Sequence, residues 1–219
     1  MRPASVLPLL LLAASAAAFA EPRAYALDPV HTRVLLAIDH AGFSKALGTV
    51  SGSTGTVWFA DADGGIDWTT ARLDVRVPVA ALDFGDAKWN AAVQGRGLLD
   101  GERHPEARFV SDAITARDAR SAQVCGALTL RGVTRPLCMD VTVNAIARYP
   151  LPPFRRTAGF SATATLSRAA FGADAWKSLI GDTVELRIEA EATRDRDADD
   201  AASAAPASTN EPKDPEPRP

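Results

Sequence analysis

The sequence predicts an all-β fold of antiparallel strands with one or two short helices. Two observations predict it: apolar and polar residues alternate along most of the chain, and only two short segments place apolar residues at helical spacing. Alternation gives a strand one wet face and one dry face, which is typical of antiparallel sheets. About eight such strands are expected, and they form either a barrel or a sandwich.

The strands are predicted from segments in which apolar residues recur at every second position. The first segment places Leu36, Ile38 and His40 on one face and Asp39 on the other. In chain order the segments are VLLAIDH (34–40), TVWFAD (56–61), ARLDVRVPV (71–79), RFVSDAI (108–114), CGALTL (125–130), LCMDVTVNAI (137–146), GFSATATLSR (159–168) and TVELRIEAEA (183–192). Their apolar faces are expected to enclose one common interior.

Helical spacing occurs in two short segments between the strands. In DAKWNAAVQ (86–94), Asp86 stands where an N-cap is expected, ahead of Trp89. In ADAWKSLIG (173–181), Trp176 and the apolar residues after it share a helical face, and a glycine follows in the usual stop position. The sequence therefore predicts at most two short helices.

The two ends of the chain differ in composition from its middle. Residues 1–20 combine Arg2, a short apolar run and the cleavage pattern Ala18-Phe19-Ala20, which predicts a signal peptide. An uncleaved anchor is the alternative, although the run is too short for a good membrane span. Residues 194–219 contain no large apolar side chain and predict a disordered acidic tail rich in Pro and Ala. The folded domain is thus expected over residues 21–193, in a secreted or periplasmic protein.

The charge of the chain argues against nucleic acid as a partner. The formal net charge is −3, of which the segment 194–219 accounts for −3 and Arg2 for +1, so residues 21–193 carry −1. Nucleic-acid binding depends on a basic field that neutralises phosphates. The near-neutral segment lacks such a field and is long enough for one domain with a real core.

The two cysteines, Cys125 and Cys138, flank a hairpin turn in CGALTLRGVTRPLC. If the turn is centred between Arg131 and Gly132, antiparallel register places the two cysteines directly opposite each other. Opposed residues lie within disulfide range, so a bridge is expected in an oxidising compartment. A register shifted by one residue would leave two free thiols instead. A Cys–His metal site is less favoured, because no histidine is near in sequence.

The chain has three histidines, and no catalytic signature accompanies them in the sequence. His31 and His40 are nine positions apart, so a regular strand would point them to opposite faces. His104 precedes Pro105 and is expected in a turn. A structural or surface role is favoured for each, and no metal site is predicted. His40 shares an apolar face, where its ring is either satisfied by hydrogen bonds or meets the polar group of a ligand.

Arg168 and six aromatic residues are further candidates for a binding site. Arg168 ends its strand on the inward face, where it would bind a phosphate or carboxylate head group or form a salt bridge with Asp182. The aromatic residues either line a cavity or pack a core. They are Phe43, Phe59, Phe109, Phe160, Phe171 and Trp176.

Four segments resemble the YceI-like family of bacterial periplasmic proteins, also described as polyisoprenoid-binding. They are YALDPVHTRVLLAIDHAGFSKALGTV, LLDGERHPEARFVS, GALTLRGVTRPL and LSRAAFGADAW…IGDTVEL, in the order of the family and together spanning about residues 25–192. The resemblance implies a lipocalin-like antiparallel barrel with a helical segment and a long isoprenoid chain in its interior. It implies no established catalytic activity.

The family motifs match seven positions of this chain. These residues serve either as ligand contacts or in folding. They are Asp28 and His31 in DPVHT, His40 in DHAGFS, Pro105 and Phe109 in HPEARF, and Arg168 and Phe171 in SRAAFG. The chain departs from the family at Val50 and Ser53, where the family usually has Phe, and in LLDGERHP, where the family is rich in Phe. Smaller residues there would widen the cavity or fit a different ligand. The cysteine pair and the tail are not part of the family pattern.

The expected function is that of a periplasmic, non-enzymatic carrier of a polyprenyl or quinone-type isoprenoid held inside the barrel. No cofactor is expected other than the bound lipid, and a homodimer remains open. Two alternatives stand beside the carrier. One is an enzyme or redox partner that acts on an isoprenoid or quinone through His31, His40 or the cysteine pair. The other is a structural envelope-stress protein with a filled barrel.

Overall fold

The computed structural model describes residues 21–62 and 65–197. The predicted signal peptide and the predicted tail beyond residue 197 lie outside these residues and stay predictions. The strands are β1 Arg23–Leu27, β2 Arg33–His40, β3 Ser44–Ser51, β4 Thr54–Ala62, β5 Gly65–Pro78, β6 Leu82–Asp83, β7 Glu106–Ala116, β8 Ser121–Leu130, β9 Val133–Arg148, β10 Arg156–Ser167 and β11 Ile180–Arg194, with the helix α1 Ala87–Gln94 and short 3-10 turns at Val79–Ala81 and Ala169–Phe171.

The strands form one antiparallel sheet that closes on itself. Eight of them make the ring β1-β4-β5-β7-β8-β9-β10-β11, which is closed by the pairing of β11 with β1. The strand β2 pairs with the first part of β11, from Ile180 to Glu189, and β3 and β6 follow β2 in the sheet. This architecture confirms the predicted all-β barrel and decides between the barrel and the sandwich that the alternation left open.

Three interrupted strands (β1 with β2, β3 with β4, and β5 with β6) explain why eleven strands make a barrel of eight. Both β1 and β2 pair with β11, at Leu27 opposite Ala192 and at Arg33 opposite Glu189, so they follow one path along its edge. In the same way β3 pairs with β2, and β4 pairs with β1. The interruptions fall at residues 28–32, 52–53 and 79–81.

The strands β1, β3 and β6 were not predicted, and β3 shows why. Its inward positions include Gly48, where an added Cβ would lie 3.1 Å from the side chains of Leu82 and Phe84. A Cβ there would force these side chains to shift by a few tenths of an ångström, so glycine suits the position and removes an apolar residue from the alternation. The remaining inward residues, Ala46 and Val50, are too few and too small to mark a strand.

One predicted helix is confirmed and the other is wrong. The helix α1 begins after Asp86, whose carboxylate accepts hydrogen bonds from the backbone N–H groups of Lys88 and Trp89 at 2.9 and 3.0 Å. Residues 175–179 form turns, and β11 begins at Ile180, so no helix is present there. Trp176 has a positive φ of 55°, which a right-handed helix cannot contain.

One end of the barrel is filled by aromatic side chains. The rings of Tyr25 and Phe59 stack at 4.3 Å between centroids, and Phe160 meets Phe59 edge-on at 6.1 Å. Trp68 is buried beside them and donates its indole N–H to the carbonyl of Asp118 at 2.9 Å. These residues close the barrel at the end where β4 turns into β5.

The predicted disulfide is present between Cys125 and Cys138. The turn is centred as expected, with Leu130 opposite Val133 and the two cysteines directly opposite each other. Arg131 and Gly132 both have positive φ, as a two-residue hairpin turn requires. Because the flanking residue Val124 points into the core, the bridge lies on the outer face of the barrel.

We expect removal of the disulfide in the double variant Cys125→Ala/Cys138→Ala to lower the free energy of unfolding by about 3 kcal/mol, since the bridge restricts the unfolded chain. Urea unfolding measured by far-ultraviolet circular dichroism checks this. The wild type under reducing conditions should match the variant. Equal stability with and without reductant would show that the bridge does not form.

Candidate functional site

The barrel encloses a cavity of about 500 Å³ that runs from Trp68 near the closed end to Trp89 and Trp176 at the other. This volume lies within the range of about 300–1,000 Å³ that is typical of small-molecule sites. Its wall is formed by the inward residues of the strands and by α1. Six lining residues are polar, and the others are apolar; the polar ones are Thr32, Asp39, His40, Ser53, Arg72 and Arg168.

The cavity opens at the end where β2 finishes and β11 begins. Trp89, Trp176 and Leu179 line the cavity and are also 42%, 58% and 53% exposed, so they mark the place where its interior meets solvent. His40 lies at the same end, with its ring 5.2 Å from that of Trp89. The interior is therefore accessible from one end.

One side of this mouth is covered by the helix rather than by the sheet. The strand β5 ends at Pro78, and only Thr49 and Val50 of β3 pair with β6. The helix α1 covers the space beside the part of β3 that precedes Thr49. It contains no buried residue, although Trp89 and Val93 line the cavity. Since the helix packs over a void, a ligand in the cavity would supply apolar contacts that it lacks.

The other side of the mouth is held together by Arg168, which is 6% exposed. Its guanidinium donates hydrogen bonds to four backbone carbonyls at distances of 2.5–2.9 Å. These carbonyls belong to Ala173, Ala175, Ile180 and Gly181. Arg168 thus satisfies the acceptors of an irregular segment that would otherwise be left unpaired.

Neither role predicted for Arg168 is the one found. Its hydrogen bonds go to carbonyls rather than to the carboxylate of Asp182, which instead accepts a bond from the backbone N–H of Ala169 at 2.9 Å. Because the guanidinium already donates four hydrogen bonds, it cannot also donate the two parallel bonds with which an arginine binds a carboxylate or phosphate head group. The sequence could place Arg168 on the inward face but could not supply its partners, which come from a segment folded back over it.

The structure places eight of the predicted ligand-binding residues on the cavity wall. They are Leu36, Ile38, His40, Phe59, Phe109, Phe160, Arg168 and Trp176. Their role as ligand contacts stays a prediction. The helix and the loops on either side of it contribute further lining residues that the alternation did not reveal, among them Phe84, Trp89, Leu98 and Leu99. Of these, Trp89 had a signal in its helical spacing.

Four predicted site residues do not line the cavity. Phe43 is 92% exposed in the turn between β2 and β3, because this turn projects beyond the end of the barrel. Phe171 ends the short 3-10 turn after β10, is 2% exposed and packs in the core. Asp28 and His31 lie in the outer connection between β1 and β2.

Asp28 and His31 form a local turn that is held by hydrogen bonds. The carboxylate of Asp28 accepts bonds from the backbone N–H of Val30 at 2.8 Å and from Nδ1 of His31 at 2.8 Å. The hydrogen bond that His31 donates to Asp28, and then the charge of Asp28, raise the pKa of His31 above its ordinary value. Burial alone would raise the pKa of Asp28, but its hydrogen bonds with His31 and Val30 outweigh that effect and lower it.

Two polar residues at the strand interruptions line the cavity, and the sequence did not predict either of them as a ligand-binding residue. Thr32 is 2% exposed and donates to the carbonyl of Glu191 at 3.4 Å. Ser53 is 1% exposed, and its Oγ has no hydrogen-bond partner within the described part of the chain. A buried hydroxyl without a partner is costly. It would be satisfied by a water molecule or by a polar atom of a ligand.

Within residues 21–62 and 65–197, no helix is long and apolar enough to cross a membrane. The same residues contain no group of three or more His, Cys, Asp or Glu side chains that could hold a metal ion.

A closed antiparallel barrel with an apolar interior and one open end defines the class of lipocalin-like barrels. The chain belongs to the YceI-like family, whose domain it matches over residues 25–192. It is 32% identical over 171 residues to a UPF0312 protein of Pseudomonas putida (strain W619), with 76% of this chain and 83% of that protein covered. A UPF0312 protein of Pseudomonas savastanoi pv. phaseolicola is 33% identical over 142 residues, covering 65% of this chain and 71% of that protein.

Solved structures share the fold at lower identity. The crystal structure of Burkholderia cenocepacia BcnA matches with a TM-score of 0.65 and 23% identity, covering 76% of this chain and 99% of BcnA. A polyisoprenoid binding domain from Saccharophagus degradans, implicated in plant cell wall breakdown, matches with a TM-score of 0.58 and 13% identity, covering 79% and 99% of the two chains. These matches confirm the predicted barrel.

We expect Arg168→Met to lower the free energy of unfolding by at least about 3 kcal/mol, because each buried carbonyl left unpaired costs about 1–3 kcal/mol. Chemical denaturation checks this, and hydrogen exchange should show loss of protection in residues 172–181. The matched control is Arg135→Met, since exposed Arg135 donates one bond to Ala170 at 3.3 Å. Similar small losses in both variants would contradict the clamping role of Arg168.

We expect His31 to titrate above its ordinary pKa in the folded protein and to return toward about 6.5 in Asp28→Asn. Because the folded pKa is raised, the stabilisation from this pair is fully present below the unfolded pKa and is lost as pH rises through the folded pKa. Titration followed by NMR of the ring protons checks both statements. Asp39→Asn, at the opposite end of β2, serves as the control, and an unchanged His31 titration in Asp28→Asn would refute the pairing.

Proposed function

We propose that the protein is a non-enzymatic carrier outside the cytoplasm that holds the apolar chain of an isoprenoid lipid inside its barrel. The observation that carries the proposal is the cavity of about 500 Å³, which is enclosed by apolar residues along the barrel and open at one end. A filled barrel, as expected of a purely structural protein, would leave no such space. Close-packed interiors contain few voids larger than a water molecule.

The apolar wall supports a ligand with a long hydrocarbon part. Burial of hydrocarbon contributes about 0.8 kcal/mol per CH₂ group, so a chain that follows the barrel from Trp176 to Trp68 would bind mainly through its length. Small inward residues such as Ala46, Ala107 and Ala162 leave the space for it. The affinity would then come from the chain and the selectivity from the few polar lining residues.

The polar residues of the cavity favour binding over catalysis. The guanidinium of Arg168 is engaged by backbone carbonyls, and Thr32 donates to a carbonyl of β11. The carboxylates whose pKa is lowered by hydrogen bonds, such as Asp74 and Asp118, do not line the cavity. No pair of groups in the cavity is thus arranged as a nucleophile and its base among the hydrogen bonds of the described residues.

The choice of an isoprenoid rests on the family. The motifs of this chain resemble proteins described as polyisoprenoid-binding, and the domain from Saccharophagus degradans that shares the fold carries that description. The place of action rests on the sequence of residues 1–20, whose composition predicts export. Native mass spectrometry of protein from its own cell envelope, followed by organic extraction, would identify the lipid.

The functional test uses two neighbouring residues of β10 that face opposite ways. Ala162 lines the cavity, whereas Thr163 faces outward. We expect Ala162→Phe to lower affinity for a fluorescent polyprenyl probe by at least about tenfold, because its ring occupies space needed by the chain. Thr163→Phe should bind like the wild type.

Thermal unfolding of the same variants separates a cavity from a filled core. Overpacking a filled core costs about 1–3 kcal/mol, so a strongly destabilised Ala162→Phe with unaltered Thr163→Phe would favour the structural protein. A stable Ala162→Phe that no longer binds the probe supports the carrier. A wild type that takes up neither polyprenyl nor quinone probes would overturn the proposal.

A further inference from the structure

Exposed apolar side chains gather around the opening of the cavity. Phe43, Trp89, Trp176 and Leu179, here called the mouth rim, are 92%, 42%, 58% and 53% exposed. The turn that carries Phe43 is bonded to the segment that carries Leu179, since the backbone N–H of Ala41 donates to the carbonyl of Leu179 at 2.6 Å. This bond joins the turn of Phe43 to the segment of Trp176 and Leu179, and Trp89 contacts the same end through the ring of His40 at 5.2 Å.

The lysines of the described residues are placed in the same region. They are Lys45, Lys88 and Lys177, and each lies within two positions of a rim aromatic residue, namely Phe43, Trp89 and Trp176. The remaining basic side chains of the described residues, apart from histidine, are arginines. The three ammonium groups of the described residues therefore lie around the opening.

Acidic residues lie beside each of these lysines, including Asp39 opposite Lys45 and the N-cap Asp86 two positions before Lys88. Lys45 pairs with Glu185 at 2.5 Å and Lys177 pairs with Asp174 at 2.9 Å, with all four side chains at least half exposed. Exposed pairs of this kind contribute little and exchange readily for other partners. The ammonium groups are therefore available to anionic lipid head groups that approach the rim.

This combination suits the boundary between water and a lipid bilayer. Tryptophan and other aromatic rings partition to the head-group level, and lysine extends its charge toward water while its stem lies along apolar surface. The rim is also continuous with the apolar interior, so a hydrocarbon chain passing between the bilayer and the barrel would not cross water.

We propose that the mouth rim docks on the surface of a lipid bilayer and that the cavity is loaded and emptied there. The inference rests on the proposed function for its purpose, because docking would give the carrier access to lipid chains. The docking itself requires only the rim and its lysines. Binding is expected to be peripheral, with the barrel end in contact with head groups and the closed end in water.

The first test is flotation of the purified folded protein with vesicles of phosphatidylethanolamine containing a minority of phosphatidylglycerol. Phe43→Ser is the test variant, since Phe43 is exposed and does not line the cavity. We expect it to lower vesicle partitioning by about tenfold. Leu151→Ser is the matched control, because Leu151 is 62% exposed between β9 and β10 at the closed end. It should partition like the wild type.

The second test removes the charge of the rim. We expect Lys45→Glu/Lys177→Glu to weaken binding to the phosphatidylglycerol-containing vesicles more than binding to phosphatidylcholine vesicles. Arg148→Glu/Arg155→Glu, which alters two exposed arginines near the closed end, is the control and should leave binding unchanged. Equal losses in the two double variants would overturn the assignment of the rim.

Failure of docking and failure of the carrier function give different results. Uptake of a polyprenyl probe in vesicle-free solution should be the same for the wild type and Phe43→Ser. Flotation without probe uptake would support docking and contradict the carrier. A wild type that does not float, or that forms a dimer dependent on Phe43 while ignoring vesicles, would overturn the docking proposal.

Discussion

Closure of the sheet is the constraint on which the rest of this structure depends. The ring of eight antiparallel strands leaves no open edge over most of its length, and only near the mouth, where β6 is short, does α1 replace the sheet. Closure also creates an interior that side chains must fill unless a ligand does. At one end Tyr25, Phe59 and Trp68 fill it, while toward the other end alanines, valines and leucines leave a cavity of about 500 Å³. The size of the inward side chains therefore decides which part of the barrel is core and which part is site.

The irregular segments around the mouth are stabilised by arginines that bind backbone carbonyls. Arg168 serves the segment from Ala173 to Gly181, and Arg131 donates to the carbonyls of Gly172 and Arg96. Such bonds replace the ladder pairing that the sheet no longer offers there. On the opposite side, α1 is attached mainly through polar contacts such as the bond from Gln94 to the carbonyl of Val79 at 2.8 Å. The mouth thus combines one firmly bonded side with a helix that packs over the cavity.

This division of roles agrees with the proposed binding function. The buried guanidinium of Arg168 binds backbone carbonyls of the fold. The groups with shifted pKa values nearest to the predicted site, Asp28 and His31, lie in an outer turn. What remains for a ligand is apolar surface, the unpartnered hydroxyl of Ser53 and the ring of His40 at the opening. Apolar burial is not directional, so such a site would select a ligand by length and shape more than by functional groups. The rim extends the same apolar character outward to the place where a lipid chain would enter.

The sequence by itself determined the eight long alternating strands, the N-cap at Asp86 and the pairing of Cys125 with Cys138, because these features depend on periodicity and register between neighbours in the chain. It also placed Leu36, Ile38 and Phe109 on the inward face, since parity along a strand is local. Only the tertiary structure decided that the interior contains a cavity, that Phe171 is core and Phe43 is outside, and that residues 173–181 do not form a helix. The physical reason is that space and hydrogen-bond partners come from residues distant in sequence: a strand pattern shows which face is apolar, but only the closed ring shows whether the opposing side chains meet.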